Sequence, residues 1–508
     1  MYDVVVVGAG SAGAVIAARA SEDGSKTVCL VEAGPDYPAP AATPWDLVNS
    51  HDNSYVDHDW GFAYTPVAAG RATPFPRGRV VGGSSAVNTT IALRGMPEDY
   101  DHWAELGNPE WAWEKVLPAF RRLERDLDYG DRPYHGDAGP ITIRRYRPDE
   151  MTVPQTAFLE AAELLGYPYC ADANDPDSWG AGPHPMNKAG RVRVSTAVGY
   201  LAPARVRPNL TIRASSPVRR VVVDASARRV SGVEMADGSI VEGRLVVLAA
   251  GAIASPLVLL RSGIGPRDEL ERAGVDVVAD VAGVGRNLAD HPATAVACEA
   301  ADPSIIDTNS PIVQTILRYT APGSEHRNDL QIEIFSFAGR RPPDRPPAFA
   351  IAAVLEWAES RGTVRLSGVG VDDPPLIESN MCSSPADVDR LAQCLLDTIA
   401  FAESKPISTI TSRIAFPRLP VDFDTARELV RRFSGSGYHP CGTVRMGPAG
   451  DPSAVVDQYG RAHAVDGLVV ADASIFPTVP RANTNLTSIM VGEMVGEWLR
   501  RSPERYSL

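Results

Sequence analysis

The sequence is poor in cysteine, has no long apolar run and carries a deficit of positive charge. Its 508 residues include six cysteines, at Cys29, Cys170, Cys298, Cys382, Cys394 and Cys441. None falls in a CxxC or other paired spacing, which argues against a disulfide framework or a zinc site and for a reducing compartment. No stretch approaches the ~18 uninterrupted apolar residues of a membrane-spanning helix. The longest, Leu245 to Ala254, reads as a buried strand and the turn after it. The N-terminus has neither a basic region nor a cleavage site, since strand-like sequence begins by Asp3. A soluble, cytoplasmic protein without membrane insertion is expected. Lys and Arg total 49 against 63 Asp and Glu, a net charge of −14. Such a chain repels phosphate backbones and anionic membrane surfaces, so no nucleic-acid partner is expected. Internal repeats and charge runs long enough to form a tail are also missing.

What is present is globular. Hydrophobic residues make up 44% of the chain, enough to exclude wholesale disorder. Glycine and proline, at 43 each, imply many turns and irregular connections. At roughly 150 residues per domain, the length predicts about three domains.

The first thirty-two residues carry the earliest chemical signal. Asp3-Val-Val-Val-Val-Gly8 is a short β-branched run that reads as a fully buried strand. Gly8-Ala-Gly10-Ser-Ala-Gly13 follows, then a helical stretch from Ala14 to Ala20, then a second strand from Thr27 to Val31 ending at Glu32. This is the order of a dinucleotide-binding fold. Gly8 permits the tight turn, Gly10 lets backbone approach a pyrophosphate, and Gly13 allows close helix–strand packing. The helix N-terminus offers free N–H groups to phosphate. The Glu32 carboxylate suits a ribose 2′-OH and disfavours a 2′-phosphate, so FAD or NAD is expected before NADP.

Further along, Leu245 to Ala252 and Gly467 to Asp472 read as two more buried strands, the second ending on an acidic residue. Strands so far apart predict one parallel sheet assembled from distant segments. Val218 to Val223 and Val230 to Met235 flank a turn and read as a small antiparallel excursion. The middle of the chain differs. It holds a Pro/Arg-rich loop at 339–347, a strand from Ala348 to Trp357, and an amphipathic helix from Ser384 to Glu403 with Val388, Leu391, Leu395, Leu396 and Ile399 on one face. Ser384 with Asp387 predicts a capping box, and Pro385 suits the first turn.

Among the nine histidines, two stand in motifs that merit weighing. A neutral imidazole can take a proton near neutral pH, so histidines are the natural candidates for a general base. His291, beside Asp290, reads as a hydrogen-bonded structural histidine. His439 follows the Gly/Ser-rich approach Ser434-Gly-Ser-Gly-Tyr438, which brings a side chain tightly against a ligand; from the residues alone it fits a structural or a catalytic role equally. Cys441 reads as a small buried hydrophobe. Tyr438 reads as a pocket wall, and Trp60 and Phe62 as either entrance or core.

At Gly78-Arg-Val-Val-Gly-Gly-Ser-Ser-Ala-Val-Asn88 the sequence resembles the glucose–methanol–choline (GMC) oxidoreductases. The likeness continues through Leu93-Arg-Gly95, Asp99-Tyr-Asp-His-Trp103, Gly251 to Gly265, Gly283 to His291, Ser360-Arg-Gly362, His439 to Thr443 and Asn483 to Glu493. It implies an α/β chain with a Rossmann-like FAD-binding domain and an interleaved substrate domain on an antiparallel sheet. We assign residues 1–148, 190–297 and 440–508 to the first, and residues 149–189 and 298–439 to the second. The residues read as holding the cofactor are Gly8, Gly10, Ser11, Gly13, Glu32, Ala33, Arg79, Val81, Gly82, Gly83, Ser84, Asn88, Val218, Ala250, Asp472, Ala473, Asn483 and Thr484. Some family members attach FAD through a histidine in the 78–88 loop. The matching position is Val87, which has no nucleophile, so FAD is expected to be non-covalent. No metal is expected.

The resemblance places the catalytic histidine at His439. Its usual partner histidine is replaced by Asn483, which is no base at neutral pH but orients the alcohol oxygen. The helix after Asn483 would aim its N-terminus at the flavin pyrimidine end and favour the anionic reduced ring. The expected activity is oxidation of an alcohol, primary and aromatic or furan-like, to the carbonyl, with hydride passing to flavin N5. O2 or another electron acceptor completes the cycle. Two alternatives stand beside it: a dehydrogenase that passes electrons to a quinone or peptide-derived carrier, and a hydroxynitrile lyase-like activity without net redox chemistry.

Overall fold

The computed structural model describes residues 1–68, 70–224, 226–338 and 345–508; residues 339–344 of the Pro/Arg-rich loop lie outside them. Tyr2–Val7 is a strand whose last four residues are fully buried, as its run of valines requires. It pairs in parallel with Val28–Val31 on one side and with Ile240–Leu248 on the other. Leu468–Val470 joins in parallel beyond Ile240–Leu248, and Leu210–Arg213 joins beyond Val28–Val31. The Leu210–Arg213 strand was not foreseen; it is only four residues long and partly exposed, so it carries little apolar signal.

The strand read as Leu245 to Ala252 begins earlier and ends earlier. It runs from Ile240 to Leu248, and a helix, Gly251–Arg261, starts where the apolar run continues. Both elements are buried there, so hydrophobicity alone does not mark the boundary between them. The antiparallel excursion forms as expected between Val218–Asp224 and Arg229–Met235.

The glycine loop enters the helix Gly13–Ala20, which packs against the terminal helix Thr484–Arg501. Gly492 and Gly496 make that contact close. A Cβ at Gly492 would lie 2.7 Å from the Ala12 carbonyl oxygen, and one at Gly496 would lie 2.7 Å from Arg19 Cβ. Glu493, fully buried between them, accepts hydrogen bonds from Arg19, Arg122 and Tyr200. These contacts lock the first helix along its length against the middle of the terminal one.

The second sheet is antiparallel, in the order Thr411–Phe416, Pro292–Ala300, Ala348–Leu355, Leu330–Phe335, Val313–Tyr319 and Gly180–Pro183. Helix Pro385–Glu403 covers one of its faces with the predicted apolar stripe. Pro385 opens that helix as expected, but the capping box does not form. Ser384 Oγ donates to Glu359 instead, and the Asp387 carboxylate accepts the N–H groups of Glu359 and Ser360. A tertiary partner outcompetes the local cap. The sheet's other face looks back toward the glycine loops.

Candidate active site

A cavity of about 780 Å³ runs from the glycine loops to this free sheet face, a volume within the ~300–1,000 Å³ usual for ligand sites. Its first end is made largely of backbone. Gly8, Gly10, Ser11, Glu32, Ala33, Gly83, Ser84, Asn88, Val218, Ala250, Asp472, Ala473, Asn483 and Thr484 all line it. The Gly78–Asn88 loop crosses the first glycine loop so closely that a Cβ at Gly83 would lie 2.6 Å from Gly10 Cα. At Gly10 itself the nearest atom to a Cβ would be 3.8 Å away, so its outer side is open. Ser11 Oγ donates to Asn485 Oδ1 at 2.8 Å and joins the starts of the two helices.

Glu32 is buried. Its carboxylate accepts the N–H groups of Ala9 and Gly34, both at 2.8 Å, and burial pushes its pKa up to about 7 against those hydrogen bonds. Asp472 accepts from Gly251 N–H and Ser255 Oγ, and so closes the N-terminus of helix Gly251–Arg261.

Four residues read as cofactor-binding stand outside the lining. Gly13 has a packing role, since a Cβ there would lie 1.9 Å from the Gly8 carbonyl oxygen. The Arg79 guanidinium lies over the Trp60 ring, 4.9 Å from its centre. Val81 and Gly82 donate their N–H groups to Pro35 and Ala9 and brace the loop from behind. Val87 lines the cavity and packs with Leu47, Val80 and Ala86.

The second end holds the imidazoles. Segments around His291 and His439 run antiparallel, with Ala289 and Cys441 exchanging backbone hydrogen bonds at 3.0 and 2.9 Å. The Asp290 carboxylate accepts the backbone N–H of His291 at 2.8 Å and of His439 at 2.9 Å through the same oxygen. Its other oxygen accepts from Ser436 Oγ at 2.6 Å, and burial raises its pKa to about 6. His439 Nε2 stands 2.9 Å from Asn483 Nδ2, and His439 Nδ1 stands 2.9 Å from His291 Nδ1. Burial, then the neighbouring His291 and Arg77, hold the His439 pKa well below the ordinary histidine range, so its imidazole is neutral at neutral pH. Tyr438, the residue before it, has φ +66°, an uncommon conformation for a bulky side chain and one that clusters at functional sites. It lines the cavity, as do Trp60 and Phe62, which stack with ring centres 5.5 Å apart. Cys441 is fully buried, and burial raises its thiol pKa.

The rest of this end was not legible beforehand. Ala295, Ala352 and Glu333 form one cross-strand row of the antiparallel sheet, and Ala293, Val354 and Gln331 the next; all six line the cavity. Arg77, Tyr55, Phe335, Phe416 and Phe433 complete it. The alternation of small residues within these strands was a signal that could have located the sheet face, but not what it faces.

Among the described residues, one trio has metal-ligand spacing: Glu124, Asp126 and His135, all buried. It lies outside the cavity and is already neutralised, by Arg94 on Glu124 and by Arg145 on Asp126 and Asp172.

The fit to a flavin dinucleotide rests on the chemistry of these groups. Two helix N-termini converge on an open glycine face, suited to a pyrophosphate. Asn483 Oδ1 and Asn485 Nδ2, both at the cavity, are buried without hydrogen-bond partners among the described residues.

Comparison with known proteins agrees. The chain is 35% identical to 5-(hydroxymethyl)furfural oxidase of Methylovorus sp. (strain MP688) over 542 residues, covering 98% of each. It is 33% identical to the oxygen-dependent choline dehydrogenase of Brucella anthropi, over 99% of this chain and 96% of that one. The crystal structure of pyridoxine 4-oxidase from Mesorbium loti superposes with a TM-score of 0.89 at 31% identity, over 97% of this chain and 98% of that one. No helix among the described residues is long and apolar enough to cross a membrane. The description "GMC oxidoreductase" matches in two parts, residues 2–293 and 358–492; the chain belongs to the GMC oxidoreductases and is an FAD-dependent oxidoreductase acting on alcohols.

Proposed function

We propose that the protein oxidises a primary alcohol on an aromatic or furan-like ring to the aldehyde, with His439 as the base and Asn483 holding the oxygen. The observation that carries this reading is the pair itself. A basic nitrogen and an amide donor stand 2.9 Å apart at the wall of the cavity that holds the dinucleotide loops. Each at present satisfies the other. An entering hydroxyl takes over both bonds, donating its proton toward His439 Nε2 and accepting from Asn483 Nδ2. His439 removes that proton as the C–O bond gains double-bond character, and Asn483 stabilises the oxygen as its charge develops. FAD supplies the hydride acceptor when bound. Gly8, Gly10, Ser11, Gly83, Ser84 and Thr484 hold it, and Val87 leaves it without a covalent link. O2 reoxidation is the reading favoured by relatives named as oxidases.

The substrate end supports a ring. Its sheet face is lined by alanines, and its rim carries Trp60, Phe62, Phe416 and Phe433. The relative named 5-(hydroxymethyl)furfural oxidase is consistent with this. A second reading rests on Glu333, a carboxylate in the cavity whose known partner is His184 at 3.2 Å. It favours a cationic alcohol of the kind the choline dehydrogenase relatives are named for.

The test is an anaerobic screen of furfuryl, benzyl and choline-type alcohols for bleaching of the bound flavin, followed by air. Bleaching by ring alcohols and rapid recovery of colour is the expected result. Bleaching by choline alone would establish the second reading, and cleavage of a hydroxynitrile without bleaching would overturn both. Acid precipitation should leave colourless protein and yellow supernatant.

A further inference from the structure

The reaction proposed above needs the lone pair of His439 on Nε2, facing the cavity. A neutral imidazole carries one proton, so that lone pair exists only if Nδ1 holds the hydrogen. Nothing in His439 itself decides between the two nitrogens. The contact that can hold the hydrogen on Nδ1 lies one ring further from the substrate, at His291, which is fully buried and meets His439 Nδ1 at 2.9 Å through its own Nδ1.

The contacts on both sides of the His439 ring set the order of the protons. His291 Nε2 is buried without a hydrogen-bond partner among the described residues, and the Glu356 carboxyl lies 3.6 Å from it. The Asn483 amide presents its N–H group to His439 Nε2 at 2.9 Å, so that nitrogen accepts. The one hydrogen of the neutral ring is then on His439 Nδ1, and the 2.9 Å contact with a second imidazole nitrogen makes His291 Nδ1 its acceptor. His439 Nδ1 therefore carries the hydrogen and His439 Nε2 the lone pair. When the alcohol displaces the amide, the contact with His291 Nδ1 is what still holds the hydrogen on His439 Nδ1.

The fold is built to hold this contact. Both histidines sit on paired segments pinned by one oxygen of Asp290. Gly437 leaves room between them, since a Cβ there would lie 3.1 Å from His439 Nδ1 and 3.3 Å from His291 Cβ. Gly437 N–H in turn donates to the His291 carbonyl at 2.8 Å. The rings cross at 71° with centres 5.0 Å apart, edge to face and not stacked.

We infer that His291 is a positioning residue of the reaction: by accepting the Nδ1–H of His439 it holds the catalytic imidazole in the tautomer whose Nε2 takes the substrate proton. This rests on His439 being the base. It goes beyond that reading by assigning a role to a buried histidine that never touches the alcohol.

Two variants separate this from plain packing. In His291→Asn the amide oxygen stands where Nδ1 stood and still accepts. His291→Leu fills similar space without an acceptor. Nitrogen-15 spectra of histidine-labelled holoenzyme without substrate read the tautomer directly, with the His439 signals identified by their loss in His439→Gln. Wild type and His291→Asn are expected to show His439 protonated at Nδ1, and His291→Leu a shift toward Nε2 protonation. With 5-(hydroxymethyl)furfural as probe, anaerobic flavin reduction in His291→Leu should fall about 10²–10⁴-fold, the scale of losing a general base or its tautomer. The apparent affinity should stay within about threefold, and His291→Asn should recover most of the rate. Nε2 protonation of His439 in the wild type overturns the inference, as does equal behaviour of the Asn and Leu variants. Failure of the probe to reduce wild-type flavin would count against the proposed substrate only, since the spectra need no substrate.

Discussion

The two ends of the cavity are made by different means. The dinucleotide end is shaped by backbone: glycines with no Cβ, N–H groups at two helix starts, and carboxylates that hold loops in place. The substrate end is shaped by side chains on a sheet face, brought together from strands that pair out of sequence order. A backbone-built site fails in an all-or-none way when a side chain is added where none fits. A side-chain-built site is tunable, because each wall changes separately. That contrast can be tested.

The largest effect is expected at the loop crossing. Gly83 has φ +52°, and a Cβ there would collide with Gly10 Cα at 2.6 Å. Both partners are backbone and cannot turn away. Gly83→Val should yield protein without flavin absorbance even when FAD is supplied in excess. A yellow, active variant would show that the crossing does not shape the cofactor end.

Next comes His439→Ala, which removes the base and should slow anaerobic flavin reduction about 10²–10⁴-fold while leaving the flavin spectrum intact. Because burial holds the His439 pKa well below the ordinary range, the wild-type reduction rate should stay flat as pH falls through 6.5 and decline only at lower pH. Asn483→Ala should cost less, about tenfold to a hundredfold, since one donor is lost and the base remains. An equal loss in both variants would mean that the amide does more than orient the oxygen.

Much of the first end was legible in the sequence, and little of the second. The GxGxxG turn, Glu32 and the 78–88 loop are local patterns whose spacing alone defines their geometry, so the strand–turn–helix order could be read directly. Gly13, Arg79, Val81 and Gly82, also read as holding the cofactor, stand outside the cavity lining. His439 and Asn483 were reached through family likeness, because a Gly/Ser-rich approach shows only that a side chain comes close to something. His291 looked structural because its partner lies 148 residues away. Nothing local reveals that the backbones of the two histidines share a carboxylate. The row Ala295, Ala352 and Glu333 was illegible for the same reason: sheet register joins them, and register is a tertiary fact.

The tunable end gives the fourth prediction. Ala352 is nearly fully buried and sits between Ala295 and Glu333 in register. Ala352→Leu should lower kcat/KM for a ring alcohol about tenfold or more and leave a short aliphatic alcohol nearly unaffected, as filling a pocket by a few methylenes does. Loss of activity on both would place Ala352 in the support of the histidines and not in the pocket wall.

The smallest effect concerns stability, and it too divides the two ends. Glu356, fully buried beside His291, has its pKa raised to about 8 by burial. Its ordinary value is 4.5. In the folded protein the carboxyl keeps its proton between those values, whereas in the unfolded chain it has lost it. Folding is therefore favoured by the protonated carboxyl below pH 4.5, and that contribution is lost as pH rises toward 8. Glu356→Gln keeps the shape without the proton equilibrium, so its stability should fall less between pH 5 and pH 8 than that of the wild type, by an amount on the order of a few kcal/mol at most. Glu32 at the dinucleotide end, raised to about 7, contributes a slope of the same sign that the substitution leaves in place. Bound FAD stabilises the fold that binds it and so acts on both proteins alike. Denaturant midpoints for wild type and variant at the two pH values give the difference, and a pH dependence in Glu356→Gln as steep as that of the wild type would mean that the buried carboxyl is already ionised, with a cation as its partner.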